Sequence, residues 1–142
     1  MDAAVEKQMA GYWWGQLTMP EVAEWAEANQ WRKAVGVRGL YALLKGMLIV
    51  YVGKTERSIG ERVRAHKKER LIVFSSFSWL DFGSDPELDL GALEREAIRE
   101  LDPLYNLRMS GYDMRRLALI GKLHLAEKEK ERSLRNEGLR DE

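Results

Sequence analysis

Two short apolar runs on either side of a glycine turn constrain this chain more than any other feature. The first run covers residues 40–44 and the second covers residues 47–52, and only Lys45 and Gly46 separate them. Runs of this length around a glycine predict a β-hairpin. Because both runs are apolar on both faces, we expect other elements to cover the sheet on each side.

The segments after the hairpin predict a small α+β fold. Residues 58–61 read Ser-Ile-Gly-Glu, which is the spacing of a capping box, and they predict a helix over residues 59–70. Residues 71–82 are rich in β-branched and aromatic side chains and predict a third strand. An amphipathic helix then begins near Leu90 and is ended by Pro103.

Additional helices are expected at the two ends of the chain. Thr18 and Pro20 have the pattern of a helix start, and we expect that helix to run to about Asn29. Asp113 is the expected cap of a last helix, whose tail is almost wholly charged. The expected divisions are an N-terminal helical extension (1–36), a core (37–108) and a C-terminal helix (109–142), together forming one globular domain.

Composition excludes several kinds of site. The 142 residues include no Cys and only two His, at positions 66 and 124, which excludes a disulfide scaffold, a cysteine zinc site and a thiol nucleophile. The longest apolar run, residues 47–52, is too short to cross a bilayer, and the first residues lack the basic and apolar regions of a secretory signal. We therefore expect a soluble, cytoplasmic protein with no membrane partner.

Charge is unevenly distributed although the net charge is zero. Residues 53–70 contain seven Lys or Arg and three Glu, whereas residues 71–105 contain eight acidic residues and two Arg. A basic stretch facing an acidic one suits a site that holds a phosphate on one side and a metal on the other. Two oppositely charged surface helices give the same pattern, and charge alone favours that simpler interpretation.

Glu94 is an unusual residue for the position that it occupies. Its neighbours one helical turn away are Leu90, Gly91, Ala97 and Ile98. Glu94 therefore lies on the stripe that faces the core, where an ionised carboxylate is costly unless it is paired or bound to a cation. The open alternative is that the side chain reaches from the edge of the stripe to an arginine.

Arg62 and His66 form a second unusual group. They are four residues apart on the helix predicted after Ser58, so they share a face of that helix. Arg62 lies in the first turn, where free backbone N–H groups favour an anion. Phosphate binding is one interpretation, and a solvated basic helix with an incidental histidine is the other.

Tyr41 and Tyr51 lie one on each arm of the predicted hairpin. Tyrosines in strands are usually packing residues. A three-residue turn, Leu44-Lys45-Gly46, places the two tyrosines on the same face of the sheet, whereas a two-residue turn, Lys45-Gly46, places them on opposite faces. A shared function for the two hydroxyls requires the odd-length turn.

Together these residues resemble the GIY-YIG nuclease family. The matching pieces, in the order of the family, are Gly39-Leu40-Tyr41, Tyr51-Val52-Gly53-Lys54, Arg62 with His66, Glu94, and Pro103-Leu104-Tyr105-Asn106. The resemblance covers about residues 37–107 and differs from the usual motifs by Leu and Val in place of two Ile. It implies a small three-stranded antiparallel sheet flanked by helices, and hydrolysis of DNA phosphodiester bonds with one divalent metal, Mg²⁺ or Mn²⁺.

The resemblance also implies a role for each residue of the site. Glu94 would be the metal ligand, and Arg62 would hold the scissile phosphate. Tyr41 would act near the attacking water as general base or as its orienter, and Tyr51 would hydrogen-bond water or phosphate. His66 would help to draw the proton from Tyr41.

Further residues are expected to bind substrate or to support the site. Lys54 would contact phosphate or lower the pKa of a tyrosine, and Asn106 would brace the site by hydrogen bonding. Arg64 and Lys67 are additional candidates for substrate binding on the basic helix. Arg64 is also the alternative to Arg62 at the phosphate, but Arg62 is the one that places His66 correctly.

Four tryptophans near the N-terminus and the last helix leave further possibilities open. Trp13, Trp14, Trp25 and Trp31 either stack on unpaired bases or, as we prefer, pack the N-terminal extension on the core or on a partner. We expect a metal-dependent DNA endonuclease. The alternative is a catalytically silent module that binds nucleic acid or protein. Because the chain is nearly neutral, a homodimer or a targeting partner is a further expectation.

Overall fold

The computed structural model describes residue 14, residues 23–106 and residues 114–140. The chain divides into two compact units, with the boundary after Asn106. Among the described residues, the first unit contains a four-stranded antiparallel sheet and the second contains one long helix. In chain order the elements are β1 (Glu24–Glu27), a 3-10 helix (Ala28–Ala34), β2 (Gly39–Lys45), β3 (Leu48–Thr55), α1 (Ile59–Glu69), β4 (Ser76–Asp81), α2 (Leu90–Leu101) and α3 (Met114–Arg140).

The α+β class is confirmed, but the expectation of three strands is wrong because the described sheet has four, in the order β1-β4-β2-β3. Strand β1 replaces the end of the helix that was expected to run to about Asn29. It pairs with β4, and Ala26 opposite Phe77 is completely buried. A short apolar run fits both a helix and an edge strand, and pairing with the free edge of β4 decides between them. The start of the expected helix lies outside the described residues.

The hairpin of β2 and β3 is confirmed, but its turn is neither of the two that the sequence suggested. Gly46, with a φ of +59°, and Met47 form a two-residue turn between the paired residues Lys45 and Leu48. A β-bulge then interrupts the pairing, because Leu43 pairs with Tyr51 while Leu44 pairs with Ile49. The bulge adds one residue to β3, and this extra residue reverses the alternation of side chains beyond it.

The two helices of the first unit begin and end close to the predicted residues. The Ser58 hydroxyl accepts a hydrogen bond of 3.3 Å from the Glu61 N–H at the start of α1, as the capping motif predicts. The Asp89 carboxylate caps α2 in the same way, accepting from the Ala92 N–H at 3.1 Å. The predicted third strand is β4, which is shorter than residues 71–82.

The sheet is covered on both faces, as its apolar strands predict. One face, which we call the α2 face, packs against α2 and Trp14. Trp14 is 2% exposed, and its Nε1 donates a hydrogen bond of 2.8 Å to Ser78 Oγ. The packing interpretation of Trp14 is therefore confirmed, whereas Trp13 lies outside the described residues. The opposite face, which we call the tyrosine face, carries Tyr41 and Tyr51 against α1.

The second unit contains the predicted last helix. Helix α3 is 27 residues long, and its expected cap, Asp113, lies outside the described residues. Leu125 and Leu134 are exposed on it. In the part of the chain that the structure describes, no helix combines the length and the apolar character needed to cross a membrane.

Candidate active site

The tyrosine face brings the two hairpin tyrosines together. Tyr41 lies opposite Gly53 and Leu43 lies opposite Tyr51, so Tyr41, Leu43 and Tyr51 share one face. The ring centroids of the two tyrosines are 6.1 Å apart. Without the bulge, continuous pairing from the turn would place Tyr51 opposite Ala42 and therefore on the α2 face. The bulge, rather than an odd-length turn, is what allows the two hydroxyls to belong to one site.

A buried hydrogen bond between Tyr41 and His66 lies at the centre of this site. The Tyr41 hydroxyl and His66 Nε2 are 2.9 Å apart, Tyr41 is completely buried, and His66 is 7% exposed. Burial lowers the pKa of the His66 imidazole, the positive charge of Arg62 lowers it further, and Glu69 opposes both effects. The imidazole is therefore neutral at neutral pH and can accept the Tyr41 proton at Nε2.

The Tyr41 proton is firmly held in the resting site. Burial raises the pKa of the Tyr41 hydroxyl well above its usual value, and the nearby Tyr51 raises it further. A hydrogen bond from Arg62 and the charge of Arg62 only partly offset that rise. Tyr41 is thus a neutral phenol in contact with one proton acceptor, His66, and one cation, Arg62. Such a group can pass a proton on, but it does not hold a stable phenolate at neutral pH.

Arg62, and not Arg64, joins the tyrosines. Arg62 and His66 are one helical turn apart on α1, and both face the Tyr41 hydroxyl. The guanidinium carbon of Arg64 instead lies 5.0 Å from the centre of the Trp31 ring. Lys67 is exposed on α1. Of the basic residues on this helix that were proposed to bind substrate, Arg62 therefore lies at the tyrosines and Arg64 lies at Trp31.

Tyr51 connects this group to Glu94. The Tyr51 ring centroid is 5.0 Å from that of His66. Burial raises the pKa of Tyr51, the negative charge of Glu94 raises it further, and Arg62 lowers it. Helix α2 packs on the opposite face of the sheet, yet the charge of its residue Glu94 acts on Tyr51, which lies on the tyrosine face. The two faces meet at the edge formed by β3.

Glu94 is a half-buried carboxylate with Lys54 beside it. Burial raises the pKa of the Glu94 carboxyl, and the ammonium and backbone N–H of Lys54, together with Arg95, oppose that rise. Alternation along β3 places the Lys54 side chain on the α2 face, away from the two tyrosines. The structure therefore brings Lys54 to the carboxylate rather than to a tyrosine hydroxyl, and Glu94 reaches a lysine as well as an arginine.

Gly53 allows Tyr41 to lie against the backbone of β3. A Cβ atom at Gly53 would lie 2.6 Å from both Cζ and Oη of Tyr41, and 2.8 Å from Cε1 of Tyr51. Both distances are well below a van der Waals contact, so a larger residue would displace the tyrosine hydroxyl. The sequence does not show why residue 53 must be glycine, because the close contact depends on the cross-strand pairing of Gly53 with Tyr41.

Asn106 braces the outer edge of β3. Its side chain accepts a hydrogen bond of 2.8 Å from the Val52 N–H and donates one of 2.9 Å to the Val52 carbonyl. The neighbouring Tyr105 N–H donates to the carbonyl of Val50, the extra residue of the bulge, at 2.7 Å. Asn106 thus contacts backbone in this structure, in agreement with the bracing interpretation.

Glu69 is a charged neighbour of the site that the sequence analysis did not single out. It follows Arg62 and His66 by seven and three residues on α1, which places it on the same side of the helix. Its charge acts on Tyr51, Arg62 and His66. The spacing of Glu69 from Arg62 and His66 could have indicated its position. An exposed glutamate on a helix with many charged residues, however, does not differ from an ordinary surface residue.

A single carboxylate fits a divalent cation only with help from other oxygens. Within residues 23–106 and 114–140, no three His, Asp or Glu side chains cluster closely enough to hold a metal by themselves. Mg²⁺ is commonly bound through one or two carboxylates, with waters and substrate phosphates completing its shell. The partly desolvated Glu94 fits that mode, since a cation compensates the cost of burying its charge.

No protein-family model matches this chain, and no curated protein is similar enough to count as a relative.

Proposed function

We propose that this protein is a metal-dependent endonuclease that hydrolyses DNA phosphodiester bonds. The observation that carries the proposal is the buried 2.9 Å hydrogen bond between the Tyr41 hydroxyl and His66 Nε2, with Arg62 at the same hydroxyl. A buried tyrosine that only packs in a sheet needs one hydrogen-bond partner for its hydroxyl, whereas Tyr41 has both an imidazole and a guanidinium there. Together the three groups supply a proton path and a cation for an anionic substrate.

Proton transfer in the proposed reaction runs through Tyr41 to His66. Because Tyr41 is buried in the resting site, binding of the substrate has to admit the attacking water to Tyr41 Oη. That water gives a proton to Tyr41 Oη while Tyr41 gives its own proton to His66 Nε2. The water oxygen then bonds to phosphorus, and the bond from phosphorus to the leaving oxygen breaks. The leaving oxygen departs with the bonding electron pair and takes a proton from water, and His66 returns its proton to solvent. Because the two transfers occur together, the phenolate that burial disfavours does not accumulate.

Arg62 and Tyr51 bind the phosphate in this proposal. The planar guanidinium of Arg62 matches two non-bridging phosphate oxygens, and its charge offsets the negative charge that develops during attack. Tyr51 remains protonated at neutral pH because burial and Glu94 raise its pKa, so its hydroxyl is a donor for a phosphate oxygen or a water. Arg62 thus acts both on the phosphate and on the tyrosine that activates the water.

Glu94 is the proposed ligand for Mg²⁺ or Mn²⁺. A divalent ion bound there supplies positive charge to the scissile phosphate and to the leaving oxygen. Burial raises the pKa of Glu94, and Lys54 opposes that rise through its charge and its backbone N–H, which favours the ionised carboxylate that binds a cation.

A cleavage assay on supercoiled plasmid, flap and branched DNA tests the proposal. The wild type should cleave with Mg²⁺ or Mn²⁺ and not with EDTA. Glu94→Gln should lose on the order of 10²-fold or more in rate, since it removes a group that stabilises the transition state. Glu100→Gln is the matched control, because Glu100 is an exposed glutamate on the same helix, and it should cleave like the wild type.

Two outcomes contradict the proposal. If Glu94→Gln and the wild type cleave at the same rate, the activity does not belong to this site. If the wild type cleaves none of the three DNA forms with either metal, the chain is the catalytically silent binding module that the sequence left as the alternative.

A further inference from the structure

A second group of basic residues lies on the other side of α1 from Arg62. The Trp31 ring has the guanidinium carbon of Arg32 4.5 Å from its centre and that of Arg64 5.0 Å from its centre. We call Trp31, Arg32 and Arg64 the Trp31 patch. Two elements that are distant in sequence, the 3-10 helix and α1, thus bring two positive charges to one indole.

Close packing between the two elements holds the patch together. Gly60 lies at the start of α1, and a Cβ atom on it would lie 2.4 Å from the Trp31 carbonyl oxygen and 2.6 Å from the Val35 nitrogen. Only glycine therefore allows the backbone of the 3-10 helix to approach α1 this closely. Arg64 follows Gly60 by one helical turn, so it projects on the side of α1 that faces Trp31.

Among the residues that the structure describes, no strong ion pair neutralises the charges of the patch. Arg64 Nη1 lies 3.8 Å from Glu61 Oε2, and both side chains are about half exposed, so this pair contributes little. A cation–π contact holds a guanidinium through its charge and leaves its N–H donors available for another partner. Two such guanidiniums on one ring form a site for a doubly or multiply charged anion.

The position of the patch relative to Arg62 indicates which anion it would bind. Arg62 and Arg64 are two residues apart on α1 and therefore project about 200° apart around the helix axis. A helix with its side chains is about 10–12 Å across, which corresponds to about three nucleotides of one strand at a rise of 3.4 Å. Because both Arg62 and Arg64 are exposed, a DNA backbone that crosses the exposed surface of α1 from Arg62 can reach the patch a few nucleotides away.

We propose that the Trp31 patch binds the phosphate backbone of duplex DNA next to the scissile phosphate. The proposal rests on the proposed function for its partner, DNA, but it adds a second contact that takes no part in the chemistry. It also explains how a chain with a net charge of zero holds DNA, since the charge is concentrated where the backbone passes. Lys67, three residues after Arg64, extends the same side of α1.

The test measures binding separately from cleavage. The full chain is titrated into a fluorescein-labelled duplex of 25 base pairs in EDTA, and anisotropy is followed at several KCl concentrations. Arg32→Ala/Arg64→Ala is compared with Lys45→Ala/Arg99→Ala, which removes the same charge from the hairpin turn and from α2. Thermal unfolding of both double variants checks that they are folded.

We expect the patch variant to lose its contacts with two phosphates. The slope of log K against log salt should fall by about 0.9 for each, and the Kd near 100 mM salt should rise about tenfold or more. The control variant should stay within about twofold of the wild type. In the cleavage assay the patch variant should show a higher KM with an unchanged kcat, because it loses binding and not transition-state stabilisation.

Failure of this inference and failure of the proposed function are distinguishable. If the wild type cleaves DNA and the patch variant binds and cleaves like the control, the patch is not a DNA contact. The patch variant would also bind and cleave DNA like the control if the patch binds an acidic protein instead of DNA. If the wild type binds DNA through the patch but does not cleave, the patch is supported and the nuclease function is wrong. If the wild type does not bind the duplex at 50 mM KCl, the inference is wrong.

Discussion

Gly53→Ala is the substitution whose effect is most directly determined by the geometry of the site. The added Cβ atom would lie 2.6 Å from Cζ and Oη of Tyr41. Ordinary carbon contacts begin at about 3.5 Å, so the Tyr41 ring must move by about 0.9 Å. Because Tyr41 is completely buried, the displacement also disturbs its 2.9 Å hydrogen bond to His66.

Two magnitudes follow from that displacement. Overpacking a buried site costs about 1–3 kcal/mol in the free energy of unfolding. A reacting group that is misplaced by about 1 Å costs about 10²-fold in rate. We therefore expect Gly53→Ala to fold with reduced stability and to cleave DNA about 10²-fold more slowly than the wild type.

Urea denaturation and the plasmid cleavage assay measure these two effects on the same preparation. Gly121→Ala is the control, because among the described residues no atom outside its own helix lies within 4 Å of the position that its Cβ would take. Alanine in the interior of α3 should stabilise the helix by about 0.5–1 kcal/mol and leave cleavage unchanged. A Gly53→Ala protein that is as stable and as active as the wild type would refute the close-approach reasoning.

Three further changes test the proton path and the brace. The acid limb of the cleavage profile should lie below pH 6.5, since the pKa of His66 is lowered from that value, and His66→Gln should abolish that limb together with most of the activity. Between pH 6.5 and the lowered pKa of His66, the unfolded chain binds more protons than the folded chain. The free energy of unfolding should therefore fall as the pH is lowered through this range, and it should fall less steeply in His66→Gln. Tyr41→Phe should cost about 1–3 kcal/mol in urea denaturation, because it leaves a buried His66 nitrogen without its partner, and it should reduce cleavage about 10²-fold; wild-type cleavage would contradict the relay. Asn106→Ala should lower the free energy of unfolding by about 1–3 kcal/mol through two lost hydrogen bonds to Val52, and unchanged hydrogen exchange of the Val52 amide would contradict this account.

Sequence reasoning predicted the elements whose signals are local. The hairpin, the cap at Ser58 and the limits of α2 near Leu90 and Pro103 each depend on a few neighbouring residues, and each is present in the structure. The i, i+4 spacing likewise predicted that Arg62 and His66 share one face of α1, and in the structure both face the Tyr41 hydroxyl. Strand β1 was not predicted, because the pattern of a four-residue segment is compatible with both a helix and an edge strand. The choice depends on the free edge of β4, with which β1 pairs.

Other parts of the candidate site depend on contacts between distant residues and could not be predicted from local patterns. The bulge at Val50 places the side chains of Tyr41 and Tyr51 on the same face of the sheet. The Val50 carbonyl accepts a hydrogen bond from the Tyr105 N–H, which comes from the other end of the unit. The pairing of Lys54 with Glu94 follows from the strand alternation and from the packing of α2 across the edge of β3. Neither relation leaves a periodic signal in the sequence.

The hydrogen bonds from Tyr105 and Asn106 to the backbone of β3 affect when the candidate site becomes ordered during synthesis of the chain. The carbonyl of Val50 and both backbone groups of Val52 form hydrogen bonds with residues 105 and 106, at the end of the first unit. A nascent chain that has emerged only as far as α2 already contains both tyrosines, Arg62, His66 and Glu94, yet lacks the residues that hold the bulge. Ordering of the candidate site therefore coincides with completion of the first unit, and a chain that stops at α2 lacks the contacts that hold the bulge in place.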